Sequence, residues 1–257
     1  MPIDVLPRAA RFCFALALVV LAGSAAAADR SAQRDQFRTA YAASARASPL
    51  EWKKLAAGLE DYPLYPYLEA AALRKNIAKA ERADIERFLA RWPDSLSARE
   101  VRESYLRELA RRGDWKSFRA FWKESRDRDL RCSDLRARAA GGEKLDFTRD
   151  IEPLWATPRA TPATCDVVFA NARADGSLTD ARVWDRVLES AAAGNPDTAA
   201  AVAALLNGED RVAAERIIAT TRNPATELAK AEKWTDSPRN RDAVAYGIAR
   251  YARRDSA

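Results

Sequence analysis

The sequence contains no histidine, and its one methionine is Met1. Without histidine there is no Ser-His or Cys-His pair to activate a nucleophile, and the usual zinc and iron ligand sets are out of reach. Cysteine is scarce too, with three in 257 residues and no Cys-x-x-Cys, so a catalytic dithiol is excluded. Neither a phosphate-loop nor a dinucleotide glycine pattern occurs. No cofactor and no metal is expected. Branched residues never alternate with a period of two, so no strand is expected either. Nothing points to nucleic acid, because no recognition motif accompanies the arginines.

What is present begins with a targeting segment. Arg8 and Arg11 form a short positive region, Phe12 to Leu21 an apolar run of about ten residues, and Gly23 to Ala28 a small-residue cleavage region. A bilayer span needs roughly 20 apolar residues, so this run is too short for one. Cys13 stands at its front, not after a lipoprotein signal. Residues 1–28 therefore read as a secretory signal peptide cut near Ala28–Asp29, the alternative being a buried N-terminal helix. Residues 29–257 form the mature domain, with no membrane span and a formal charge of +5 in place of +6. Its two cysteines, Cys132 and Cys165, read as a disulfide in an exported chain. Closing that loop would stabilise the fold by roughly 3–4 kcal/mol in the chain-entropy picture.

Alanine, leucine, arginine and glutamate dominate the rest, all strong helix formers. Helices are predicted near 33–47, 49–59, 64–75, 82–92, 96–112, 115–124, 128–139, 146–154, 162–173, 179–193, 196–207, 209–221, 224–232 and 239–254. The breaks have physical causes. Gly194 can take a left-handed cap, Asn195 can cap the next helix, and Pro196 fits its first turn. Asn223-Pro224 and Ser237-Pro238 repeat the device. Ser97 and Glu100 have capping-box spacing, followed by an apolar stripe of Val101, Tyr105, Leu106 and Leu109. Gly141-Gly142 and the Thr157–Thr164 stretch, with Pro158 and Pro162, predict a looser connection near 140–165. Short connections make antiparallel hairpins. Hairpins in series make an all-α solenoid, or superhelix, here without a regular repeat period.

Arginine is spread along the helices beside acids; between Arg99 and Arg131 eleven basic residues face seven acidic ones. That reads as a solvated, ion-paired surface, mildly cationic and suited to weak contact with an anionic polymer. Paired acids such as Glu60-Asp61 and Glu209-Asp210 sit at helix junctions, where capping explains them. The tryptophans at 52, 92, 115, 122, 155, 184 and 234 are expected to fill the core between hairpins; stacking on sugars is the alternative.

The most specific stretch is Asp61-Tyr62-Pro63-Leu64-Tyr65-Pro66-Tyr67-Leu68-Glu69. It resembles the same nine-residue segment near the start of the large periplasmic soluble lytic transglycosylases. Its prolines suit the start of a helix, and its tyrosines are expected to pack between hairpins, direct glycan contact being the alternative. Glu108-Leu-Ala-Arg-Arg-Gly113-Asp114-Trp115 resembles that family's helix-end motif, in which the glycine breaks one helix and the aspartate caps the next. Cys132, Cys165 and Asn223-Pro224 also match family positions. The resemblance is strongest from about 60 to 115 and thin after 170.

The resemblance implies a periplasmic scaffold that holds peptidoglycan weakly along its surface. In the family, one glutamate protonates the glycosidic oxygen between the two murein sugars, then takes a proton from the muramoyl 6-hydroxyl, leaving a 1,6-anhydro end. That glutamate precedes a serine, with Gly-Leu-Met-Gln and Ala-Tyr-Asn-Ala-Gly downstream. Here Glu103-Ser104, Glu124-Ser125 and Glu189-Ser190 are the Glu-Ser pairs, and no Gly-Leu-Met-Gln can exist. Ala40-Tyr41 continues as alanine and Ala245-Tyr246 as Gly247. No residue is expected to be catalytic, and the chain is expected to stop inside the superhelix. The missing C-terminal catalytic portion is then a candidate partner. Two other readings stay open: a stand-alone periplasmic adaptor for cell-wall enzymes, and a truncated product.

Overall fold

Helix-forming composition and frequent caps produce many short helices, with no strand among the described residues, which are 30–44 and 49–255 of this computed structural model. The expected signal peptide lies outside them. The helices are α1 (30–44), α2 (Pro49–Leu55), α3 (Tyr65–Lys75), α4 (Arg82–Arg91), α5 (Leu96–Arg112), α6 (Trp115–Phe121) and α7 (Arg128–Ala140). After a π turn over Phe147–Ile151 follow α8 (Glu152–Trp155), α9 (Asp166–Ala174), α10 (Asp180–Ala192), α11 (Pro196–Ala203), α12 (Gly208–Arg222), α13 (Pro224–Leu228) and α14 (Pro238–Asp255). They form two compact units that divide after Arg111.

In the first unit Ala40, Trp52, Ala56, Leu59, Tyr65 and Leu68 make a small core from α1, α2, α3 and the turn before α3. The Phe37 ring lies 5.4 Å from that of Tyr62 and extends this core outward. On α5 the predicted stripe of Val101, Tyr105, Leu106 and Leu109 is buried. Its cap differs from expectation. Ser95 Oγ, not Ser97, accepts the free N–H of Ala98 at 3.0 Å, while Ser97 is buried inside the first turn. Glu100 instead meets Arg74 at 2.8 Å. The preceding turn places Asp94 at φ 60°, a left-handed conformation that aspartate tolerates better than most residues.

The second unit packs helices mainly on their near neighbours: α6 on α7, α10 on α11, α11 on α12, and both α12 and α13 on α14. This is the order of an α-solenoid. One core runs through it, from Leu135 through Trp155, Phe169, Trp184 and Val187 to Leu206 and Ile217. Gly247 lets α14 come close, since a Cβ there would meet Leu228 Cδ2 at 2.7 Å and Thr220 Cγ2 at 2.8 Å. Gly194 takes the expected left-handed cap (φ 78°), but Asn195 does not cap α11 with its side chain. Its amide reaches across to the Pro158 carbonyl at 3.1 Å.

That bond belongs to the connection between α7 and α9. Cys132 on α7 is joined to Cys165 at the entry to α9. Between them the chain is held by side-chain donors more than by helix ladders. Arg128 Nη2 donates to the Leu154 carbonyl at 3.1 Å, and Thr164 donates to the Asp129 carboxylate. Arg186 takes the Thr157 and Arg159 carbonyls at 3.2 and 3.3 Å. Opening the disulfide should therefore loosen α9 against α7 and lower stability by about 4 kcal/mol, the loop-entropy value for this spacing. A reductant should lower the melting temperature by about 10 °C. An unchanged melting temperature, with two thiols titrating in folded reduced protein, would remove the bridge from any structural role.

Candidate functional site

The nine-residue stretch folds as a turn running into α3. Tyr62 and Tyr65 close successive turns through N–H bonds to the Leu59 and Tyr62 carbonyls, at 2.9 and 2.8 Å. Pro66 lies in the first turn of α3, where a missing N–H costs nothing. Asp61, Pro63 and Leu64 are exposed, Tyr62 and Tyr67 half-buried, and Tyr65 and Leu68 are core residues. Glu69 carries the polar end. Its carboxylate accepts the Trp92 indole N–H at 2.7 Å and Arg91 Nη1 at 3.1 Å. Arg91 also lies over the Trp92 ring, 4.8 Å from its centroid, and 5.6 Å from that of Tyr65. Burial, then the Glu69 charge, pushes the Tyr65 phenol up. The motif thus becomes a knot tying α3 to the end of α4, beside a groove of about 770 Å³ that Trp52, Tyr65, Glu69 and Arg91 help to line.

In the second unit Gly113 has φ 69° and breaks the helix, and the Asp114 carboxylate caps α6 by accepting the Ser117 N–H at 3.1 Å. Trp115 follows half-buried, with the Arg136 guanidinium 5.0 Å from its ring centroid. These three residues shape a helix junction and carry no reactive geometry. A charge cluster lies nearby. Asp150 accepts from Arg149 Nη2 at 2.8 Å, from the Asp146 N–H at 2.8 Å and from Arg138 Nη2 at 3.0 Å. Arg149 first, then the backbone N–H and Arg138, hold its carboxyl well below the usual range. Asp134 shows the opposite sign, since burial outweighs its pairing with Arg119 and raises its carboxyl.

Arg186 on α10 is only 3% exposed. Its bonds go to backbone carbonyls, and its guanidinium lies 4.3 Å from the Trp155 ring centroid and 5.8 Å from that of Phe169. Burial first, then the Arg128 charge, pushes it down to about 10, so it stays charged at neutral pH. Nothing in the sequence distinguishes it from a solvated helix arginine.

The Glu-Ser pairs do not converge on a reaction centre. Glu103 sits on α5 within 3.8 Å of Arg107, Glu124 follows α6, and Glu189 is exposed on α10. Ser190 is buried, and its hydroxyl has no partner among the described residues. Tyr246, which follows Ala245, donates its hydroxyl to the Ala191 carbonyl at 2.8 Å and lies 2.9 Å from Thr221 Oγ1. It is a strut between helices. Among the described residues no cluster of His, Cys, Asp or Glu could hold a metal, and no helix is long and apolar enough to cross a membrane. Trp52, Trp155 and Trp184 are buried, and the other four tryptophans are half-buried.

Fold and site define the class: an all-α chain of stacked hairpins, stapled by one disulfide, with knots of arginine and tryptophan. No protein-family model matches it. The soluble lytic murein transglycosylase of Escherichia coli K12 is 30% identical over 202 residues, covering 77% of this chain and 31% of that protein. A solved structure of an inactive mutant of the lytic transglycosylase Slt from Pseudomonas aeruginosa superposes with a TM-score of 0.74 and 28% identity, over 86% of this chain and 36% of that one. A 70-kDa soluble lytic transglycosylase in complex with bulgecin A gives 0.74 and 26%, over 88% and 37%. In both sequence and fold, most of the chain is similar to part of the length of soluble lytic murein transglycosylases. It spans about a third of the relatives it resembles.

Two outcomes follow from the geometry. Glu69→Ala strands the Trp92 N–H and frees Arg91, and should cost about 1–3 kcal/mol in urea unfolding. Glu69→Gln keeps one acceptor and should cost less; equal midpoints for wild type and both variants would dissolve the knot. Asp150 is ionised more readily in the folded protein than in the unfolded chain, so its stabilisation is present above about pH 4 and fades as pH falls below. Asp150→Asn should be less stable than wild type at pH 7, with the gap narrowing by pH 3. A gap that stays constant would show the carboxylate's charge to be irrelevant.

Proposed function

We propose that this chain is the scaffold portion of a periplasmic lytic transglycosylase that acts on peptidoglycan, and that it carries no catalytic glutamate of its own. What carries the reading is the alignment over 202 residues to a murein transglycosylase three times as long. The dispersal of the three Glu-Ser pairs and the absence of any Gly-Leu-Met-Gln support the second half. Residues 1–28 serve as the signal peptide, and residues 29–257 are the scaffold. Peptidoglycan contacts it weakly, drawn by a formal charge of +5 over residues 29–257, and the chemistry is supplied by residues outside this stretch. The Asp61–Glu69 segment and the Gly113-Asp114-Trp115 junction keep hairpins in register.

A stand-alone adaptor for cell-wall enzymes is the second reading. Ile248 at 56% and Tyr251 at 43% exposure, one turn apart on α14, favour a polypeptide partner there. In the first reading the missing catalytic portion is the expected partner, in the second a separate cell-wall enzyme; in neither is cleavage by this chain alone expected.

Incubating the purified chain with sacculi and analysing the supernatant by mass spectrometry tests the proposal. No anhydromuropeptide should appear above a protein-free blank, while part of the chain should sediment with the sacculi and be released as salt rises. Anhydromuropeptide release would overturn the non-catalytic reading. Full recovery in the supernatant at low salt would remove the peptidoglycan contact.

A further inference from the structure

The buried cation of the second unit stands at the wall of a groove of about 700 Å³, formed where the connection before α9 meets α9, α10 and α11. Trp155, Phe169, Val202, Leu205 and Ala201 give it an apolar surface, and Arg186 contributes to the same wall. Arg186 spends two donors on the Thr157 and Arg159 carbonyls. Its Nη1 has no acceptor, and no carboxylate is bonded to it, among the described residues. A guanidinium held between aromatic rings and carbonyls keeps its full charge but has no bonded counter-ion, Glu189 acting on it only at a distance. Taking it out of water is costly, and an anion arriving through the groove would offset much of that cost. The other arginine of the wall, Arg173, is already occupied by Asp180 and by the Leu178 and Leu205 carbonyls.

The shape of the wall narrows the kind of anion. One free guanidinium edge suits one carboxylate, not a polyphosphate. Alanines 160, 170, 174 and 201 make the lining shallow and methyl-sized, suited to small apolar side chains. Thr161 and Thr198 offer hydroxyls, and Asp166, the one acid on the wall, can accept a peptide N–H. We propose that this groove binds the C-terminal carboxylate of a short peptide with small apolar side chains, with Arg186 as the carboxylate's partner. This goes beyond the scaffold reading and does not rest on it.

N-acetyl-Ala-Ala and its C-terminal amide make a matched pair of probes, alike in shape and different in charge. Titrated into the chain and followed by the Trp155 indole N–H resonance, the acid should bind at least tenfold more tightly than the amide, as one charge-assisted pair implies. Arg186→Gln should abolish that preference. Because Arg186 also pins the connection, a second variant keeps it intact: Ala201→Phe, at an exposed position of α11, should fill the groove and weaken the acid at least tenfold with the melting temperature unchanged. Equal affinity for acid and amide would overturn the proposal. So would no saturable binding at millimolar probe, or an Ala201→Phe variant that binds like wild type.

Discussion

Joining Cys132 to Cys165 decides what the rest of the second unit can do. The bridge brings the entry of α9 onto α7, so the residues between must turn back over the face where α10 and α11 begin. Nothing in that connection builds a long helix, so the carbonyls of this half-buried segment lack a helix ladder and, where later helices cover them, need other donors in place of water. The donors come from later in the chain, as Arg186 and Asn195 reach back for the Thr157, Arg159 and Pro158 carbonyls. One covalent constraint thus sets up the need for a buried cation, and the cation in turn creates the groove's electrostatics.

Arginine does more in this molecule than pair on a solvated face. Arg182 lies 4.0 Å from the centroid of Phe147, Arg239 4.3 Å from Trp184, Arg216 4.8 Å from Trp234, and Arg91 4.8 Å from Trp92. A planar guanidinium can stack and still donate sideways, as Arg91 does to Glu69 and Arg216 to Asn240. Lysine could keep the charge but not the stack with its directed bonds. The excess of basic residues is therefore partly a packing device, and the surface left to meet an anionic polymer is smaller than the residue count suggests.

The helices were legible in the sequence because their signals are local. Composition, Gly113, Gly194 and the prolines at 66, 196 and 224 act within a turn or two of where they stand. The apolar stripe of α5 was legible for the same reason. Its cap was not: Ser95 and Ser97 both precede the stripe, and only the left-handed turn at Asp94 settles which hydroxyl faces the free N–H groups. Asn195 looked like a cap and was drawn away by a carbonyl 37 residues earlier in the chain. Arg186 and the Glu69–Trp92 bond, which spans 23 residues, depend on pairings that no local pattern encodes. The signature Asp61–Glu69 pointed to the right place without revealing that its last residue ties two helices together.

Absence of histidine bears on the scaffold as much as on catalysis. Between the carboxylate range and the range of lysine and tyrosine, no side chain type of the described residues changes its charge, since Cys132 and Cys165 are bonded to each other. Arg186 stays cationic across that window despite its burial. Acid is where the fold becomes sensitive, and it does so unevenly. Asp150, held low by Arg149 and Arg138, resists protonation, whereas Asp134, raised by burial, takes a proton earlier and weakens its hold on Arg119. The proposed scaffold role is served only while the geometry stays fixed, and a fold built from arginine, aromatic rings and a disulfide, with no side chain among the described residues that titrates near neutrality, keeps that geometry across the neutral range.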